Sequence, residues 1–155
     1  SAAALAVAQQ NAARIGLADH LQFAQGDWFA PLAQLAGRIA GMVSNPPYIP
    51  SAEVLALEPE VVRHEPHTAL DGGADGLDCL RHLVATAPHY LRPGGLWLVE
   101  LMAGQAPAVM DLLRANGQYG DIAAHQDLAG IDRFVSAQYQ PRAQPTAAEI
   151  ARPTR

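Results

Sequence analysis

Apolar side chains recur at Leu5, Ala8, Ala12 and Ile15 among strong helix formers, a spacing that predicts a helix over Ala2 to Ile15, stopped by Gly16. That helix reads as one without its natural beginning. Leu21 to Gln25 alternates apolar and polar positions and leads into Gly26-Asp27, which predicts a short strand ending in a turn, with Asp27 at its carboxyl end. Ile39 to Ser44 is a compact apolar run that fits a buried parallel strand. It stops at Asn45, because consecutive prolines cannot extend a ladder.

From Ile49 to Asp75 the chain is rich in Pro, Glu, Gly and His with weak periodicity, an excursion of the kind that forms a lid or binding loop. Helical spacing returns over Gly76 to Leu91 through Leu77, Leu80, Leu83, Val84 and Ala87. Pro93-Gly94-Gly95 predicts a tight turn into a strand over Leu96 to Leu101, and Gln105 to Ala115 reads as a helix stopped by Asn116-Gly117. Ile122 to His125 and Phe134 to Tyr139 flank Asp127 to Arg133 and pair as an antiparallel edge hairpin in this reading. Residues 1–140 make one domain; Gln140 to Arg155 lacks a core pattern, so disorder is expected after Pro141. The alternation of helix and strand predicts an α/β fold, a parallel sheet with helices on both faces closed by an antiparallel pair. Ligands of such sheets bind beyond the carboxyl ends of the strands, where Asp27 and Asn45 would both fall.

Composition narrows the classes. The 155 residues are 50% hydrophobic, enough for one globular core. No apolar run approaches the roughly 20 residues that span a bilayer, and the start shows no secretory pattern, so a cytoplasmic location without a membrane partner is the expectation. A single cysteine excludes internal disulfides and thiolate metal sites. The net charge of −5 argues against direct nucleic-acid binding, which needs clustered cations. All ten basic residues are arginine, from which no function follows.

The candidate chemistry sits at Asn45-Pro46-Pro47-Tyr48. A planar nitrogen is a poor nucleophile because its lone pair is delocalised, so an enzyme that alkylates it must hold both N–H groups. The side-chain oxygen of Asn45 and the carbonyl of Pro46 can accept them; Pro47 fixes its own φ, and Tyr48 offers a flat face. Such a site works by position, and well-oriented reactions gain about 7 to 11 kcal/mol this way. Four residues alone could be a plain turn. Their place after a strand, with Gly26-Asp27-Trp28-Phe29 after the preceding one, favours a site.

Asp27-Trp28-Phe29, Val43 to Ile49, Glu65-Pro66 with Thr68-Ala69-Leu70, Leu91 to Glu100 and Asp132-Arg133 together resemble the peptide chain release factor glutamine methyltransferases, the HemK/PrmC family. The resemblance covers roughly residues 1–140. It implies a Rossmann-like class I methyltransferase sheet, truncated on its amino-terminal side, that uses S-adenosyl-L-methionine. The implied substrate is a class 1 release factor, methylated on the glutamine amide of its Gly-Gly-Gln loop by a monomeric enzyme. Asp27 and Trp28 would contact the adenine end of the cofactor, Asn45 both cofactor and glutamine, and Asn45, Pro46, Pro47 and Tyr48 would grip the amide. The family's Gly-rich turn and acidic ribose-binding residue have no counterpart in the sequence, nor does its amino-terminal helical domain. The isolated chain is therefore expected to bind the cofactor weakly or not at all.

Other residues carry weaker signals. His64 and His67 lie three apart in a loop without a third ligand, so no metal is expected. Glu58, Glu60 and Glu65 read as a solvated face, Asp71 and Asp75 as turn formers, and Cys79 as core. Glu100 points toward the ligand edge. Two other functions use the same features: a nucleic-acid exocyclic-amine (adenine) methyltransferase, which shares the tip chemistry, and a non-catalytic remnant, suggested by the missing donor half.

Overall fold

The structure, a computed structural model, describes residues 1–56 and 66–142. Glu58, Glu60, His64, Glu65 and the tail after Arg142 lie outside the described residues. The chain divides into two units, Ser1–Ala36 and Gly37–Arg155.

In the first unit, helix α1 (Ala2–Arg14) forms where the spacing places it, with Ala12 buried and Gly16 in the left-handed region at φ 72°. At its amino end the Ser1 hydroxyl accepts from the Ala4 N–H at 3.2 Å. Ile15 falls off the helix stripe and is 68% exposed. Leu21 to Gln25 is not a strand: the segment follows a short 3-10 turn and pairs with no ladder. Alternation is a strand signal only where a neighbour supplies hydrogen bonds, and here none does. Asp27 therefore does not stand at a strand end.

The second unit holds a four-stranded sheet in the order β1-β2-β4-β3, with β1 Ile39–Ser44, β2 Leu91–Glu100, β3 Tyr119–Gln126 and β4 Asp132–Tyr139. β1 and β2 run parallel, Met42 opposite Trp97 and Val43 opposite Leu98. β4 lies antiparallel between β2 and β3, so the expected hairpin forms with β3 as its edge. Pro93-Gly94-Gly95 does not precede β2 but bulges within it: the register jumps from Ile39–Leu91 to Gly41–Leu96. Gly94 takes φ 76°, and a Cβ on Gly95 would stand 3.0 Å from the Ile39 carbonyl oxygen.

A short helix α2 (Ser51–Val54) precedes the undescribed stretch. Helices α3 (Asp78–Tyr90) and α4 (Ala106–Asn116) pack on one another and on the sheet. Their stripes Leu80, Leu83, Val84, Ala87 and Ala106, Val109, Leu113 bury against Trp97, Val99, Val135 and Ala137. Each fully buried aliphatic side chain contributes about 1.5 to 3 kcal/mol. Both helices thus share one face, and the expected cover on the other is not seen among the described residues of this unit. There Leu96, Leu98, Phe134, Ser136 and His125 line an open apolar depression of about 470 Å³. β1 is likewise not buried: Val43, opposite Leu98 in the ladder, is 77% exposed, because no described element of this unit covers that face.

Pro88 sits inside α3 and has no N–H for the Val84 carbonyl. That carbonyl instead accepts from the Tyr119 hydroxyl at 2.9 Å and the Asn116 side-chain amide at 3.3 Å. Burial raises the Tyr119 pKa. Tyr119→Phe is expected to cost about 1 kcal/mol in chemical denaturation, because Asn116 still reaches the carbonyl.

Candidate functional site

The site is built where β1 runs out. Ser44 pairs with Val99, and then Pro46 and Pro47 leave the ladder for want of N–H donors. Ile49 re-enters an isolated parallel bridge with Asp71: its N–H donates to the Leu70 carbonyl at 3.0 Å and its carbonyl accepts from Gly72 at 2.8 Å. The Ser51 N–H donates to the Gly73 carbonyl at 2.9 Å. Asn45 to Tyr48 is therefore a short arch pinned by β1 on one side and by the strap 70–73 on the other.

Asp71 locks that strap. Its Oδ1 accepts from the Ser51 hydroxyl at 2.7 Å and the Gly73 N–H at 2.9 Å, and these bonds hold its carboxyl below the usual range. Asp75 accepts from the Leu77 N–H and pairs with Arg81, which lowers its pKa to about 2. Both residues are turn formers, as their setting among glycines indicates. His67 is exposed and 3.7 Å from Asp71, and no metal-binding cluster exists among the described residues. Cys79 is half-buried, and burial raises its thiol pKa.

Asn45, Pro46, Tyr48, Ile49, Ala69 and Leu70 enclose a small pocket of about 180 Å³. Pro46 is buried, whereas Asn45 is exposed and its side-chain amide has no partner among the described residues. Asn45 and Pro46 thus both line the pocket, and the Asn45 amide makes no hydrogen bond among the described residues. The Tyr48 hydroxyl donates to Glu100 Oε1 at 3.2 Å, and Arg133 stands 3.4 Å from both oxygens with its guanidinium carbon 5.9 Å from the ring centroid. Glu100, at the end of β2, contacts the arch through Tyr48.

Gln105 was missed by sequence reasoning. It stands at the N-cap of α4 but does not cap it. Its side chain is 7% exposed and joins three segments: Nε2 donates to the Tyr48 carbonyl at 2.9 Å and the Gly76 carbonyl at 3.3 Å, and Oε1 accepts from the Met102 N–H at 3.0 Å. Its one sequence signal is a glutamine where Ser, Asp or Asn would cap better.

No protein-family model matches the sequence. Among curated proteins, the release factor glutamine methyltransferase of Synechocystis sp. is 57% identical over 137 residues, 88% of this chain and 46% of that protein. The enzyme of the same name from Gloeobacter violaceus is 50% identical over 135 residues, 87% of this chain and 46% of that protein. The chain is a homologue of part of the release factor glutamine methyltransferases. It spans just under half the length of these relatives. A crystal structure of a release factor-specific protein-(glutamine-N5) methyltransferase from Alicyclobacillus acidocaldarius superposes with a TM-score of 0.44 at 26% identity, over 72% of this chain and 58% of that one.

A methyltransferase needs a methyl donor, and the described residues of the second unit do not compose a whole site for one. Gly72 is packed against the Tyr48 Cα and Gly73 against the Asp78 carboxylate, while Gly94 and Gly95 lie in the bulge near the opposite end of β2. None forms a Gly-rich turn from a strand into a helix. Asp27 and Trp28 are both exposed and belong to the first unit; Trp28 adopts φ 47°, rare for a bulky residue.

Proposed function

We propose that these residues form the acceptor-holding part of an S-adenosyl-L-methionine-dependent methyltransferase that modifies the glutamine amide in the Gly-Gly-Gln loop of a class 1 release factor. The observation that carries the reading is the pinned Asn45 to Tyr48 arch, whose Asn45 amide, without a partner among the described residues, lines a pocket sized for a small planar group. Identity of 50 to 57% with enzymes named for this reaction supports it.

In this reading one N–H of the substrate amide donates to Asn45 Oδ1 and the other to the Pro46 carbonyl. Both protons are held in one plane, and the nitrogen presents its lone-pair face outward. Tyr48 walls the slot. No side chain need act as base, since the nitrogen becomes acidic only after alkylation and its proton can pass to water. Pro46 and Pro47 keep the acceptors from relaxing, and this preorganisation is the chain's contribution to rate. Asp27 and Trp28 are assigned to the adenine end of the donor on the resemblance alone. The reading carries with it a monomeric, cytoplasmic enzyme that touches no nucleic acid directly; among the described residues no helix is long and apolar enough to cross a membrane.

The test needs no donor. A Gly-Gly-Gln peptide titrated onto the isotopically labelled chain should shift the Asn45 side-chain amide and Tyr48 ring signals, and a Gly-Gly-Glu peptide should not. Asn45→Ala should weaken peptide binding about tenfold, the loss of one hydrogen bond, with stability within about 0.5 kcal/mol. Equal shifts with both peptides, or none with either, would overturn the reading.

A further inference from the structure

Among the described residues, Tyr48 is the only member of the arch whose side chain is tied to the sheet. Its partners come from two different strands: Glu100 is the last residue of β2 and Arg133 the second of β4. Those strands are locked in register at this point, with Glu100 opposite Phe134 and the Leu101 N–H donating to the Arg133 carbonyl at 3.0 Å. Two rigid elements thus converge on one side chain of a loop.

The charges are balanced and each is only 28% exposed. An ion pair at 3.4 Å near the surface contributes little stability by itself. Each of its members, however, also reaches the Tyr48 hydroxyl. A fold that wanted only the pair would not need the phenol between them.

We propose that Glu100 and Arg133 are positioning residues that clamp the Tyr48 ring as a fixed wall of the amide slot, without touching the substrate themselves. Glu100 anchors the hydroxyl, and Arg133 closes the triangle while lying toward the ring face. The clamp leaves the ring one orientation, so that a planar amide entering against it is aligned with the Asn45 and Pro46 acceptors. The inference rests on the function proposed above but is tested separately from it.

Burial raises the Tyr48 pKa, Glu100 raises it further, and Arg133 opposes that rise. In a titration followed on the tyrosine ring signals, with Tyr48→Phe identifying the resonance, Glu100→Gln should lower the Tyr48 midpoint and Arg133→Gln should raise it. Shifts in opposite directions establish the clamp; no movement in either variant overturns it, whether or not any peptide binds. In the peptide titration, Glu100→Ala should weaken binding about five- to tenfold, and Glu100→Gln, which keeps an acceptor oxygen, should recover most of it. The double variant Tyr48→Phe with Glu100→Ala should be no weaker than either single one, because all remove the same contact. Additive losses would mean that Glu100 meets the substrate directly and would overturn the positioning role. If the wild-type chain binds no Gly-Gly-Gln peptide, the functional reading fails while the ring titration still decides the clamp.

Discussion

Gln105→Leu is expected to destabilise the chain by about 3 kcal/mol in chemical denaturation and to abolish peptide binding at the tip. The buried amide makes three hydrogen bonds, and leucine replaces none of them. The Tyr48 carbonyl and the Met102 N–H would be left facing an apolar side chain, each at about 1 to 3 kcal/mol, offset in part by the added apolar burial. The functional loss follows from which carbonyl is released: Tyr48 is held by its backbone here and by its hydroxyl at Glu100, and the arch needs both ends fixed. Gln105→Glu separates the two effects. A carboxylate would set negative charge against two carbonyl oxygens, whereas the protonated acid can donate to one of them. Its pKa in the folded chain is therefore raised, so its deficit should be smallest below the ordinary carboxyl range and grow as pH rises from there through the raised value. A deficit independent of pH would show that Gln105 does not face those carbonyls.

Gly76→Ala should be comparably damaging for a different reason. Gly76 adopts φ 74°, where a Cβ costs about 1 to 3 kcal/mol in most residues. The added Cβ would also overlap the Tyr48 carbonyl oxygen and stand 2.7 Å from Gln105 Nε2. The first of these contacts is with backbone and cannot be relieved by a rotamer change. A melting curve should show the stability loss, and the Tyr48 ring signals should broaden as the arch loses its single conformation. Gly130→Ala provides the control: Gly130 has a similar φ of 77° but open space around it, so it should show the strain cost alone.

These two residues mark where sequence legibility ended. The arch was legible because its chemistry is local: four consecutive residues carry the acceptors, the stiffness and the flat face. The helices over Asp78–Tyr90 and Ala106–Asn116 were legible because their apolar stripes match the helical period, and the hairpin because alternation resumes on both sides of Asp127 to Ile131. Gln105 was not, since its role depends on Tyr48, Gly76 and Met102 meeting in space, and nothing in its neighbourhood encodes that meeting. Leu21 to Gln25 failed in the opposite sense. Its alternation is local and genuine, but a strand exists only with a partner, and the inference that set Asp27 beside Asn45 fell with it. The burial expected of β1 failed likewise, because an apolar run reports what a strand would bury and not whether a neighbour covers it.

The missing N–H of Pro88 has a consequence for how the molecule opens. A helix normally frays from its end, one internal bond at a time, without reference to the rest of the fold. Here one carbonyl midway along α3, that of Val84, is completed from outside, by a side chain at the end of α4 and another at the start of the edge strand. When Tyr119 leaves, the Val84 carbonyl keeps only the Asn116 amide, so the opening of β3 weakens the turn of α3 that precedes Pro88. Slow amide exchange in α3 and β3 should therefore share one opening free energy. A proline inside one segment thus ties it to another 35 residues away, and the two are expected to open together.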